Sequence, residues 1–200
     1  MLSRVRADVA AMRDRDPAAT SDLEALLCYP GLHAVWGHVF LAAPLYDVSP
    51  LAGRLVAHLV RWLTGVEIHP AADLGERVTI DHGDGVVVGE TAEIGDDVHM
   101  YHGVTLGGDD PRPVKRHPTV GDGATLGANA TLLGDIDVGE GATVGAATVV
   151  TRDVPAGATV AGNPAERIDV EDGEDSDGGE NREGGENGGD DDGRDASDEE

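Results

Sequence analysis

The stretch TVGDGATLGANATLLGDIDVGEGATVGAATVV (residues 119–150) carries an aliphatic side chain at every sixth position: Val120, Leu126, Leu132, Val138, Val144 and Val150. Glycine follows at once at Gly121, Gly127, Gly139 and Gly145, and a second small apolar residue stands four after many anchors, as at Ala124, Ala130, Ile136 and Ala142. An α-helix does not have this period, and an antiparallel strand alternates every second residue without regular glycines. A six-residue repeat marks a parallel β-helix, in which each hexad is one short strand and a turn and three hexads close a triangular coil. The prism interior admits aliphatic side chains and leaves no room for rings, which matches an aromatic content of only 3%.

Working outward, the period extends upstream through Ile68, Leu74, Ile80 and Val86, and then through Ile94, Met100 and Leu106. Two breaks interrupt it. Val86 to Ile94 is a spacing of eight, and Leu106 to Val120 is a spacing of 14. The second break, GGDDPRPVKRHP (107–118), has several prolines and most of the local positive charge. It reads as a loop expelled from the coil, and long loops on a rigid scaffold commonly carry function.

Residues 1–65 have a different texture and hold five of the six aromatics. A charged amphipathic helix is expected from Leu2 to Arg15, ended by Pro17. Ser21 followed by Glu24 reads as a capping box. Pro30-Gly31 is expected to break the second helix, with a third from about Leu32 to Leu41. Ser49-Pro50 is a cap followed by proline at the first helical position. The helix after it sets Leu51, Leu55, Leu59 and Trp62 or Leu63 on one face, and Thr64-Gly65 closes it.

The formal net charge of the 200 residues is −25, which disfavours binding to phosphate backbones. Residues 169–200 alone carry −14, with 16 acids, eight glycines and almost nothing apolar. Such a tail buries too little surface to offset its ordering entropy and is expected to be disordered. The body has a single lysine, Lys115, among acidic residues, a composition that resembles proteins of halophiles. One cysteine, Cys28, excludes an intrachain disulfide and an all-cysteine metal site. The absence of an 18-residue apolar run and of a signal-peptide pattern predicts no membrane span and a cytoplasmic location. The expected architecture is α+β: a helical domain (1–65), a β-helix (66–168) and an acidic tail (169–200).

The segments RDPA (15–18), GLHAVWGH (31–38), EIHPAADLG (67–75), DHGDGVVVGET (81–91), VTLGG (104–108), KRHP (115–118) and AGNPAERI (161–168) resemble serine O-acetyltransferases, within the hexapeptide-repeat acyltransferase superfamily. The resemblance covers roughly residues 5–168 and implies a left-handed β-helix, acetyl-CoA as co-substrate, L-serine as acceptor and no metal. It also implies a homotrimer with active sites between neighbouring β-helices, and leaves open whether trimers pair into hexamers.

A serine hydroxyl attacking a thioester needs a base within hydrogen-bond reach, and a histidine steadied by a carboxylate is the usual device. The resemblance assigns that base to His82 and its carboxylate partner to Glu67. It places Asp16, Asp81, Arg116 and His117 on the amino acid, where its ammonium and carboxylate require groups of opposite charge. Gly108, Ala128 and Ala146 are the expected coenzyme contacts, small enough for a pantetheine arm to lie against the wall. His33, His38, His58, His69, His99 and His102 read as packing or surface residues, and Tyr101 as an interface cap.

Two features depart from the family pattern. The loop opens Gly107-Gly108-Asp109-Asp110 where the family has Gly-Gly-Thr-Gly, bringing acids near the coenzyme phosphates. The chain ends in acids rather than isoleucine, so no complex with O-acetylserine sulfhydrylase is expected. The alternatives are a hexapeptide acetyltransferase acting on a sugar or amine, a γ-type carbonic anhydrase using three of His82, His99, His102 and His117 for zinc, and a scaffold with a degraded site.

Overall fold

The computed structural model describes residues 1–168; the acidic segment 169–200, expected to be disordered, lies outside the described residues. From residue 67 the chain winds into coils whose strands stack on three faces. The first face is built from Glu67–Ile68, Val87–Val88, Thr105–Gly107, Thr131–Leu133 and Val149–Val150. The second comprises Asp73–Leu74, Glu93–Ile94, Thr119–Val120 and Asp137–Val138. The third comprises Thr79–Asp81, His99–Tyr101, Thr125–Leu126, Thr143–Val144 and Thr159–Ala161. Stacked strands run parallel, and the third face ends with Glu166–Ile168 paired antiparallel to Thr159–Ala161.

Each anchor points into the prism and stacks on its counterpart one coil away. Ile68, Val88, Leu106, Leu132 and Val150 form one such column. Ile80, Leu106, Leu126 and Leu132 are fully buried. Burying one such side chain is worth about 1.5–3 kcal/mol, so the column of anchors drives the winding.

The register corrects one expectation. Val88, not Val86, pairs with Ile68 and Leu106. Val86 is instead the small apolar residue that precedes an anchor, and both valines are buried, so hydrophobicity alone does not distinguish them. The first break therefore lies between Ile80 and Val88, in the turn Asp81–Gly85 that contains His82. The second break is the loop after Leu106: Ile94 pairs with Val120 and Leu106 with Leu132, so the surplus residues stand outside the coil.

Five α-helices precede the coils: α1 (Leu2–Arg15), α2 (Asp22–Cys28), α3 (Pro30–Gly37), α4 (Ala43–Val48) and α5 (Pro50–Thr64), with a π-helical turn at His38–Ala42. Ser21 caps α2 by accepting the Glu24 N–H at 3.2 Å, while the Glu24 carboxylate reaches back to Thr20 rather than to Ser21. Pro30 does not break a helix; it starts α3 at the first position, where a missing N–H costs nothing. Ser49 caps α5, and Gly65 closes it in the left-handed conformation at φ 76°.

Helix α3 fastens the helical region to the coils. A Cβ on Gly31 would lie 2.0 Å from the Ile80 carbonyl oxygen, so only glycine permits this approach. Gly31→Ala is therefore expected to destabilise the fold by at least about 3 kcal/mol, read as a lowered denaturation midpoint. An unchanged midpoint would mean that α3 does not pack on Ile80 in solution. By contrast, the leucine face predicted for α5 does not face a core: Leu51, Leu55, Leu59, Trp62 and Leu63 are 54–78% exposed. The helix packs through its other side, where Gly53 lies against Tyr46.

Candidate active site

His82 stands at the corner between the third and first faces. The two surplus residues of that turn push it outward. Gly83 N–H closes a tight turn on the Asp81 carbonyl at 2.7 Å, and His82 itself takes φ 60°. The ring is 73% exposed, with Nε2 3.8 Å from the Asp81 carboxylate. One coil on, His102 lies edge-on to it, with ring centroids 5.9 Å apart.

Asp16 reaches the same corner from the end of α1. Its neighbour Arg15 anchors the helix to the third face by donating to Thr79 Oγ1 at 2.9 Å and to the Asp97 carbonyl. The Asp16 carboxylate accepts from the Tyr29 hydroxyl and, at 2.8 Å, from the Ala18 N–H. These bonds, Tyr29's first, hold it below the usual carboxylate range, with smaller contributions from nearby His82 and His99. The same bond pushes the Tyr29 phenol up to about 12, and Asp81 adds to that rise. The Asp81 carboxylate thus stands beside an exposed imidazole, and Asp16 is close enough to feel its charge.

A second cluster occupies the corner between the first and second faces. The His117 ring is buried and fills the space that a side chain at Gly89 would take. Its Nδ1 accepts from the Thr91 N–H at 3.2 Å. Arg116 is 2.6 Å from Glu90 and donates to the Arg112 carbonyl at 2.9 Å. Gly108 lies against both Arg116 and His117. Burial first, then the Arg116 charge, keeps the His117 pKa below its ordinary value. Asp110 is occupied by Arg112, whose hydrogen bonds lower its pKa, so of the loop's two acids Asp109 is the one with no basic partner among the described residues.

The expected residues therefore separate into two groups within one chain. His82, Asp81 and Asp16 share the third-to-first corner. Ala128 and Ala146 continue that corner, since Asn129 N–H bonds the His102 carbonyl and Ala147 N–H the Ala128 carbonyl. Gly108, Arg116 and His117 stand on the next corner, one prism edge away; six extended residues span at most about 20 Å. Glu67 is not joined to His82: its carboxylate is 3.1 Å from Arg61 on α5, and Asp81 is the carboxylate nearest the His82 ring. The reason is local, since Gly65 turns the chain so that the end of α5 lies beside Glu67.

The four histidines considered for zinc do not converge. His99 Nδ1 is bonded to Thr79 Oγ1 at 2.7 Å and His117 Nδ1 to Thr91, while His82 and His102 stack on the outer corner. Among the described residues no group of three His, Cys, Asp or Glu side chains is placed to hold a metal ion. No single helix among them is long and apolar enough to cross a membrane.

Sequence reasoning missed Tyr29, Arg15, Glu90 and Thr91. The last two lie in the quoted DHGDGVVVGET motif, but their partners are 26 residues away for Arg116 with Glu90 and for His117 with Thr91. One coil of 18 residues plus the expelled loop makes that separation, so coil arithmetic was the signal that could have found them.

The chain matches two protein families: "Serine acetyltransferase, N-terminal" over residues 1–36 and "Bacterial transferase hexapeptide (six repeats)" over residues 117–152. It is 51% identical over 168 residues to a serine acetyltransferase of Mycobacterium tuberculosis, covering 84% of this chain and 73% of that protein. The chain belongs to the serine acetyltransferase family. Soybean serine acetyltransferase complexed with serine superposes with a TM-score of 0.79 at 46% identity, covering 83% of this chain and 68% of that one. The enzyme of Brucella abortus in complex with coenzyme A gives a TM-score of 0.80 at 40% identity, covering 83% and 66%. This chain thus spans about two thirds of the length of those family members of known structure. The comparisons lend no support to a halophilic origin.

Proposed function

We propose that the protein transfers the acetyl group of acetyl-CoA to the hydroxyl of L-serine, giving O-acetyl-L-serine for cysteine synthesis. The observation that carries this reading is the exposed ring of His82 with the Asp81 carboxylate 3.8 Å from it, and Asp16 close enough to feel its charge. Two carboxylates form a seat for an ammonium, and a base stands next to it. The serine and coenzyme A complexes of the soybean and Brucella relatives support the same pair of substrates.

In this reading the amino acid's ammonium sits between Asp16 and Asp81, which brings its hydroxyl to His82. The imidazole takes the hydroxyl proton as the oxygen attacks the thioester carbonyl. The tetrahedral intermediate collapses, the C–S bond breaks, and the leaving thiolate takes the proton from the imidazolium. Asp81 steadies that imidazolium. Glu67 can join His82 only after releasing Arg61. The acetyl-CoA arm lies along the small residues Ala128 and Ala146 below His82, and Gly108 closes the cleft from the opposite wall.

That opposite wall comes from a second copy. Arg116 and His117, suited to the substrate carboxylate, stand on a different corner from His82, so each chain supplies one wall to each of two clefts. A homotrimer of β-helices brings the third-to-first corner of one copy against the first-to-second corner of the next. The exposed leucine face of α5 is consistent with further burial in such an assembly.

The direct test is thiol release from acetyl-CoA by the full chain with L-serine, with sugars and with other amines. Serine-dependent release is the expected result. Release with a sugar alone would move the protein to the sugar-acetylating alternative, and no release with serine by the folded protein would reject serine as substrate.

A further inference from the structure

Thr91 makes a set of contacts that neither the substrate nor the coil requires. Its Oγ1 accepts from the Arg116 N–H at 3.0 Å and from the His117 N–H at 3.2 Å. The same Oγ1 lies 2.9 Å from His117 Nδ1, and the Thr91 N–H donates to that nitrogen as well. The Thr91 carbonyl accepts from Lys115 Nζ at 2.7 Å. One residue therefore grips three consecutive residues at the return limb of the expelled loop.

These contacts determine the state of the ring. A backbone N–H can only donate, so the nitrogen it meets has to be an acceptor. Nδ1 of His117 is therefore bare, and the neutral ring carries its proton on Nε2. Among the described residues Nε2 has no hydrogen-bond partner, yet it is absent from the polar atoms sealed from solvent. It faces the glycine wall, where a Cβ on Gly108 would lie 3.1 Å away and one on Gly89 2.1 Å away. Protonating Nδ1 would set its hydrogen against the Thr91 N–H, so the contact also opposes the imidazolium. The depressed pKa of His117 agrees with that direction.

The geometry assigns Thr91 as the positioning residue of His117: it fixes the Nε2–H tautomer and aims that N–H into the cleft as a hydrogen-bond donor. A neutral ring with its outward nitrogen protonated cannot accept a proton there. The two histidines are thereby divided in role, His82 as base and His117 as donor to an oxygen of the bound substrate. The division rests on the proposed serine acetyltransferase reaction; the tautomer and its dependence on Thr91 do not.

The experiment is two-bond 1H–15N correlation of the full chain with 15N-labelled histidine, with His117→Gln used to assign the signal. A ring protonated on Nε2 is expected in the wild type, and a ring protonated on Nδ1 would overturn the proposal. Thr91→Val keeps the backbone N–H, so the Nε2–H tautomer should persist, while loss of the hydroxyl releases the ring and the Arg116 and His117 amides; the His117 signal should shift and broaden, with the other histidine signals in place to report an intact fold. The KM for serine should rise about tenfold in that variant with kcat changed less than about threefold, because the donor to the bound substrate is no longer held in position. Thr91→Ser retains the hydroxyl and should restore both readings. A Thr91→Val protein with an unmoved His117 signal and wild-type KM would overturn the positioning role. A His117 signal that moves in Thr91→Val when the wild-type protein does not acetylate serine would support the positioning role and reject the reaction instead.

Discussion

Replacing His82 by alanine is expected to lower serine-dependent thiol release by ~10²–10⁴-fold, the range associated with loss of a general base. The fold should survive, because the ring is 73% exposed. The backbone at this position has φ 60°, a conformation that costs most residues energy but that asparagine tolerates. His82→Asn therefore keeps the turn and removes the base, and it should show the same loss with an unchanged denaturation midpoint. Activity retained in both variants would leave the enzyme intact but remove His82 from the chemistry. A loss in His82→Ala that His82→Asn restores would place the effect in the turn rather than in proton transfer.

The second large effect concerns the assembly. A chain carrying His82→Ala and a chain carrying both Arg116→Ala and His117→Ala should each be nearly inactive alone. Refolded or co-expressed together in equal amounts, they should recover about one quarter of wild-type activity if each site takes one corner from each of two copies. The fraction follows from chance: half of the sites receive an intact His82 corner, and half of those face an intact Arg116–His117 corner. A site built from one chain would recover nothing, because no chain in the mixture has both halves. Recovery well above background is thus the signature of a shared site, and its absence in demonstrably mixed oligomers would place both corners in one chain's site. The exposed leucines of α5 do not enter this measurement, which makes it independent of how the helices assemble.

Much of the architecture was legible before any coordinates. The six-residue period is local: a strand of two or three residues, a glycine at the turn and an anchor that points inward recur whatever the rest of the chain does. The helix signals were equally local. Ser21, Ser49 and Gly65 each act on backbone groups within four residues, and each does so in the structure. Where a neighbour of similar character competed, local reading failed. Val86 and Val88 are both apolar and both buried, and only the pairing of Val88 with Ile68 and Leu106 shows which one carries the repeat. Pro30 suits the interruption of a helix and the start of one, and the tight seat of Gly31 on Ile80 goes with the second.

The candidate site divided along the same line. His82, Asp81, Arg116 and His117 were marked by their motifs, because the resemblance lies in short contiguous segments. Their grouping was not marked. A solenoid places residues 18 or more positions apart in contact and residues six positions apart on different corners, so neighbours in sequence say little about neighbours in the site. Asp16 is brought toward the third face because Arg15 grips Thr79 and the Asp97 carbonyl, bonds across 64 and 82 residues. Glu67 left the expected pair because the end of α5 presents Arg61 to it. By itself the sequence determined the repeat, the helix ends marked by Ser21, Ser49 and Gly65, and which side chains have chemistry, since those depend on period and on contacts within a turn. The tertiary structure alone decided the register of the first coil, the side of α5 left bare, the hold of Thr91 on His117 and the division of the site between two corners. The bare side of α5 follows from the packing of Gly53 on Tyr46, and the others depend on how many residues the chain spends going once around the prism.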